Sequence, residues 1–387
     1  MTPRAITGFG IVSALGIGRE AFFEGMREPP PQPASTQSIE AFDATAYQKP
    51  LIIEVKDFDA SRYLGDKGLR SLDRQTKLLV VATRLCLQDA GLKKEGAYVA
   101  LSPERVGFCA SNAYGSLESI TELDRVAVLE DARYINPAKF PNTVANSASG
   151  YASIWEDLRA LNVAVSDGNC GALDAVTCAN IYLEAGRADA IVVGGAEALS
   201  EPLYMAFQKV GALTAEAKLG EGAALFVLER EDVAASRGAK ALAFVAGSGT
   251  AFGAPSHDGP LLHASTEAME RAITLALADA SLSAQDVELV VSGATGSGSF
   301  LEAELGAVTR VFGSDTAIAA PKAMFGETLG AGGAMGMAAA LAWMDGVPVR
   351  TVVAGRVKEQ PRVVVVTALG FYGNATAVVM RSVSRAS

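Results

Sequence analysis

Four cysteines (Cys86, Cys109, Cys170, Cys178) and two histidines (His257, His263) are all the thiols and imidazoles in this sequence. No Cys-x-x-Cys occurs and two histidines cannot build a His-rich metal centre, so free thiols in a reducing setting are expected, with no metal and no other cofactor. His257 and His263 fall in a Gly/Pro-rich stretch and read as loop residues. The glycine-rich tract 330–333 is not a phosphate loop, because no Lys-Ser/Thr follows it. More telling are three tight, small-residue stretches: Val165-Ser-Asp-Gly-Asn-Cys-Gly-Ala-Leu-Asp-Ala175, Val291-Ser-Gly-Ala-Thr-Gly-Ser297 and Pro321-Lys-Ala-Met-Phe-Gly-Glu-Thr-Leu-Gly-Ala-Gly-Gly333. At their centres stand Asn169, Gly293 and Glu327. An amide is no nucleophile at neutral pH, and glycine offers no side chain to donate a proton or a hydrogen bond. Glu327 stands five residues after Lys322 and is read as its ion-pair partner.

The chain that must position these residues has 387 of them, 50% hydrophobic and 20% charged, with 39 glycines. That length fits two or three domains, or one large duplicated α/β unit. A net charge of −10 without a Lys/Arg cluster argues against nucleic acid as a partner, since phosphate contacts need concentrated positive charge. No apolar run reaches the roughly 18 residues of a membrane helix. The apolar run 6–18 after Arg4 is interrupted by four glycines and is read as a strand and turn rather than a signal peptide. A cytoplasmic, membrane-free protein is the expectation.

The sequence repeats itself. Ala5-Ile-Thr-Gly-Phe-Gly-Ile-Val-Ser-Ala-Leu-Gly16 has a shorter echo in Phe244-Val-Ala-Gly-Ser-Gly-Thr-Ala-Phe-Gly253. The helical segment ending Leu85-Cys-Leu-Gln-Asp-Ala-Gly-Leu92 is matched by Leu275-Ala-Leu-Ala-Asp-Ala-Ser-Leu282. β-rich runs follow at 105–110 and 287–291, then nearly uncharged Gly/Ala-rich helices at 171–185 and 331–344, then apolar strands at 190–194 and 362–367. Strand, helix, strand, helix, strand in each half predicts two parallel-type sheets with helices between and outside them. The uncharged helices belong in the middle layer, where sheets on both sides leave little room. The seam falls near 229–240, dividing the chain into halves 1–235 and 236–387, with insertions in the first.

Several segments resemble motifs of the thiolase-fold condensing enzymes, specifically the β-ketoacyl-acyl-carrier-protein synthases. They are Ile6-Thr-Gly-Phe-Gly10, Asn136-Pro-Ala-Lys-Phe-Pro-Asn-Thr-Val144, Gly186-Arg-Ala-Asp-Ala-Ile-Val-Val-Gly-Gly-Ala-Glu197, Leu219-Gly-Glu-Gly-Ala-Ala224 and Gly370-Phe-Tyr-Gly-Asn374. The resemblance runs in order along essentially the whole chain. It implies an α/β, thiolase-like fold of duplicated βαβαβ halves in a five-layered α-β-α-β-α core.

The resemblance also implies a nucleophilic cysteine at the N-terminus of the buried central helix, where the dipole and free N–H groups stabilise a thiolate. Counting back without gaps from Ala188, that position is Asn169. Cys170 lies one residue on, and one helical residue turns a side chain by roughly 100°, away from the family's acyl site. Two family histidines, which hold the thioester carbonyl and the enolate, are replaced by Gly293 and Glu327. Thr295, Glu304 and Lys322 persist around them, and Phe371 matches a gating phenylalanine, with Tyr372 in place of a glycine. The Phe-Asp-rich loop of active relatives is nearly gone between Thr214 and Leu219.

Loss of cysteine and both histidines is similar to the chain-length factor, or ketosynthase-β subunit, of type II polyketide synthases. Such a subunit has no catalytic residues of its own. It implies a heterodimer with an active ketosynthase, a product tunnel at their interface with Leu117 and Ile120 as candidate lining, and an acyl carrier protein docking mainly on the partner. Two other readings stay open. One is a divergent acyltransferase or decarboxylase using Cys170 or Glu327. The other is a non-enzymatic homodimeric acyl-binding scaffold.

Overall fold

A computed structural model describes residues 2–31, 39–47, 51–255, 262–294 and 298–383. Thr295 and His257 lie outside these. Eleven strands follow one hydrogen-bonded path: β1 (Arg4–Ser13), β2 (Val106–Ser111), β3 (Asn162–Val165), β4 (Ala190–Glu197), β5 (Gly222–Arg230), β6 (Ala243–Phe252), β7 (Leu289–Val291), β8 (Ile318–Ala319), β9 (Val352–Ala354), β10 (Val363–Leu369) and β11 (Asn374–Ser382). Their order is β9-β8-β7-β10-β11-β6-β1-β5-β4-β2-β3, and a twelfth strand, Gly16–Ile17, pairs with β1 off that path.

The duplication is written in the topology. In the first half β3, β2 and β4 run parallel, while β4–β5 and β5–β1 are antiparallel. In the second, β8, β7 and β10 run parallel, while β10–β11 and β11–β6 are antiparallel. The expectation of parallel-type sheets therefore holds for three strands of each half and fails for β1 and β5 in the first and for β6, β9 and β11 in the second. The physical reason is plain at Leu369–Asn374, where four residues join β10 to β11, too few for a crossover. The repeated segments β1 and β6 pair with each other antiparallel, joining the half-sheets at the middle.

Eight helices complete the layers: α1 (Arg74–Asp89), α2 (Leu117–Val126), α3 (Ser147–Glu156), α4 (Gly171–Glu184), α5 (Glu201–Lys209), α6 (Thr266–Asp279), α7 (Ser299–Phe312) and α8 (Gly332–Met344). α4 and α8 touch each other and strands of both half-sheets. α8 carries no charged side chain, and all its residues are buried. A Cβ on Gly333 would press on Leu173 of α4, so glycine lets the two helices approach. α1 and α3 cover the outer face of the first half-sheet, and α6 and α7 that of the second. Three apolar clusters separated by two half-sheets make the five layers α-β-α-β-α. Among the described residues no helix is long and apolar enough to cross a membrane.

Candidate functional site

The first stretch turns the chain from β3 into α4. Gly168, at φ +54°, opens a short 3-10 turn Gly168–Cys170 that runs straight into Gly171. Asn169 is buried, and its Oδ1 has no hydrogen-bond partner among the described residues. Cys170 points the other way, into the core between the half-sheets, where Sγ donates to the Ala368 carbonyl at 3.4 Å. Burial pushes its thiol well above the ordinary range. A thiol held protonated and facing packed side chains is the reverse of an activated nucleophile.

The second stretch leaves β7 as Ser292, Gly293 and Ala294 and is held by one carboxylate. Glu304, buried on α7, accepts from the Gly293 N–H at 2.8 Å, the Ala294 N–H at 3.1 Å and Thr367 Oγ1 at 2.5 Å. Ser292 Oγ donates to the same group. A Cβ on Gly293 would stand 2.8 Å from Ala368 Cα and 2.9 Å from the Thr367 carbonyl carbon, and closer still to its oxygen. The end of β10 thus occupies the space through which any side chain at 293 would leave.

The third stretch enters α8. Lys322 Nζ donates to Glu327 Oε2 at 2.6 Å, and both side chains are buried. Glu327 Oε1 accepts the Leu329 N–H at 2.9 Å. Leu329 needs that anchor: it is a non-glycine residue at φ +44°, a strained conformation for a branched side chain. Next to it, Gly330 donates to Glu197 Oε2 at 3.1 Å, and Ala113 donates to the same oxygen at 2.7 Å. Glu197 is wholly buried, which lifts its pKa to about 7 against the pull of these N–H donors.

Asn169, Gly293 and Glu327 line a single cavity of about 500 Å³. Phe371 stands in its wall, edge-on to Phe207 at 6.1 Å and to Phe300 at 5.6 Å between centroids. The shortened loop supplies another wall from Val210 to Leu219, including Lys218, while exposed Tyr114, Leu262 and Tyr372 rim the opening. No cysteine or histidine is among the described lining residues. The His263 ring instead lies 2.9 Å from the Gly253 carbonyl. Cys170, Glu304 and Lys322 sit behind the lining rather than on it. Leu117, at the start of α2, packs against the same apolar cluster as the cavity residues Phe207, Leu219 and Phe371, and Ile120 is exposed on the same helix; neither is among the cavity's described lining residues. Sequence reasoning missed Lys218 and Phe300. The only available signal was the shortened loop that carries Lys218, because Phe300, three residues past the second stretch, belongs to no motif. Among the described residues no group of three or more His, Cys, Asp or Glu side chains is placed to hold a metal.

Residues 1–234 match the family "Beta-ketoacyl synthase, N-terminal domain" and residues 242–352 match "Beta-ketoacyl synthase, C-terminal domain". Among curated proteins, the chain is similar to 3-oxoacyl-[acyl-carrier-protein] synthase 2 of Vibrio harveyi, with 30% identity over 85% of this chain and 83% of that protein. It is also similar to the tetracenomycin polyketide synthase ketoacyl synthase alpha subunit of Streptomyces glaucescens, with 30% identity over 88% of this chain and 85% of that one. Among solved structures, the ishigamide ketosynthase/chain length factor superposes with a TM-score of 0.88 at 24% identity, over 99% of this chain and 100% of that one.

Proposed function

We propose that this chain, which belongs to the beta-ketoacyl synthase family, is a non-condensing subunit of the chain-length-factor kind. It pairs with an active ketosynthase and shapes the space in which the partner's acyl chain grows. One observation carries the reading: the three positions where condensation needs a thiol and two imidazoles meet at one cavity as an amide, a glycine and an ion-paired carboxylate. Cys170 cannot stand in for the thiol while its sulfur faces the Ala368 carbonyl.

The surface supports a partner. β3 is the last strand of the sheet, so one row of its backbone groups is unpaired and open to strand addition. α3 and α4 flank it and expose Ile154 and Ile181. Beyond α2, the segment to the end of the Pro137–Thr143 turn exposes Val128, Leu129, Tyr134 and Phe140. Apolar side chains beside an open strand edge suit burial against another subunit. In this reading the halves 1–235 and 236–387 are the two copies of the duplicated unit, the complex works in the cytoplasm, and the carrier protein docks mainly on the partner. Leu117 and Ile120, on α2 beside that surface, face the tunnel only once the partner is present.

Co-expression with a ketosynthase that carries intact Cys-His-His tests the reading. A stable 1:1 complex by light scattering, with condensation requiring the partner's cysteine, is the expected result. Condensation of malonyl-acyl-carrier protein by the purified chain alone refutes it.

A further inference from the structure

We propose that the cavity holding Asn169 is a non-covalent binding site for a free carboxylic acid that has an apolar body and a hydroxyl group. The inference requires only that the cavity form no covalent adduct, not the pairing proposed above.

Three features of the cavity define that ligand. Its walls are aromatic and aliphatic, with Phe207, Phe300 and Phe371 packed edge to face, and so call for an apolar body. Its opening lies on this chain's own surface, rimmed by exposed Tyr114, Val210, Leu262 and Tyr372, so a ligand reaches it from solvent in the single chain. Its polar groups are few. Among the described lining residues the charged ones are Lys218 and Glu327, and Glu327 is neutralised by Lys322 at 2.6 Å. Lys218 has no ion-pair partner among the described residues. A lone ammonium on an apolar wall favours one anionic head group. Asn169 Oδ1, buried and unpartnered, calls for a second polar group. An amide oxygen accepts, so the group that meets it is a donor such as a hydroxyl.

Lys218 also discriminates. A thioester carries no charge where a released acid carries one, so this wall prefers a chain that has left its carrier over one still attached. The site therefore favours a free acid over the thioester of the same chain.

Calorimetric titration of the full chain, alone and in complex with a ketosynthase, tests this with 3-hydroxydecanoic acid, decanoic acid and 1-decanol as probes. Saturable binding of one molecule per chain is expected, tightest for the hydroxy acid and weakest for the alcohol. Lys218→Met should weaken both acids at least about tenfold and leave the alcohol unchanged. Asn169→Leu should abolish the preference for the hydroxy acid over decanoic acid. Absence of saturable binding overturns the proposal, as does alcohol binding as tight as the acids or indifference to Lys218→Met. An acyl adduct seen by intact mass overturns both this and the non-condensing assignment, whereas failure to pair with a ketosynthase touches only the latter.

Discussion

The two turns that feed the central helices share a backbone and differ in how they are held. Gly168–Cys170 leads into α4 and Leu329–Ala331 leads into α8; each is a 3-10 turn whose first residue has positive φ, +54° and +44°. In the first turn that residue is glycine, for which the conformation costs nothing. In the second it is leucine, for which left-handed backbone costs roughly 1–2 kcal/mol, and its N–H is pinned by Glu327. The first turn is relaxed in its backbone and leaves the Asn169 oxygen unpartnered. The second is strained and has its nearby charges tied together. Equivalent places in a duplicated fold have diverged: one keeps a polar group free for a ligand, and the other turns its polar group into a brace.

The most direct way to break that contrast is Glu327→Ala. It leaves the Lys322 ammonium buried without its carboxylate and releases Leu329. A loss of about 3–5 kcal/mol is expected, read as a lower urea midpoint; unchanged stability would mean the carboxylate braces nothing. The next effect concerns Glu197, which holds Gly330 of the second turn. Its pKa in the folded protein, about 7, lies above the ordinary 4.5, so the unfolded chain releases its proton first as pH rises. Its stabilising contribution is complete below about pH 4.5 and gone by about pH 7, a change of roughly 3 kcal/mol. Glu197→Gln should flatten that part of the stability-pH curve, and parallel curves for the two proteins would contradict the assignment.

Gly293→His tests whether the lost imidazole can be put back. Its Cβ meets the Thr367–Ala368 backbone, so a cost of about 1–3 kcal/mol from overpacking is expected. For the same reason the triple variant Asn169→Cys, Gly293→His, Glu327→His should not condense malonyl-acyl-carrier protein alone. Turnover by it would show that the backbone yields. The smallest effect is Gly168→Ala, about 1 kcal/mol from forcing a Cβ into left-handed backbone. A cost equal to that of Glu327→Ala would erase the contrast between the turns.

Much of this was legible in the sequence, for identifiable reasons. Asn169, reached by counting back from Ala188, stands in the turn that enters α4, and the repeat Phe244–Gly253 falls on the strand that pairs with the first. Gly/Ala runs with little or no charge marked α4 and α8 because buried helices cannot hold unpaired charge. Strand direction was harder, since β5 and β11 are apolar runs like their parallel neighbours and only connection length tells them apart. Lys218 was overlooked because a single lysine in a shortened loop carries no periodicity.

Synthesis runs from one end of the chain to the other, and α8 comes late. While the ribosome is still making residues 332–344, the first half already has its strands and α4 but lacks the helix that seals their inner face. Between the end of β5 at Arg230 and the start of α8 at Gly332 the nascent chain therefore carries that apolar face uncovered. Truncation at the midpoint would yield not a smaller working unit but a half-closed book.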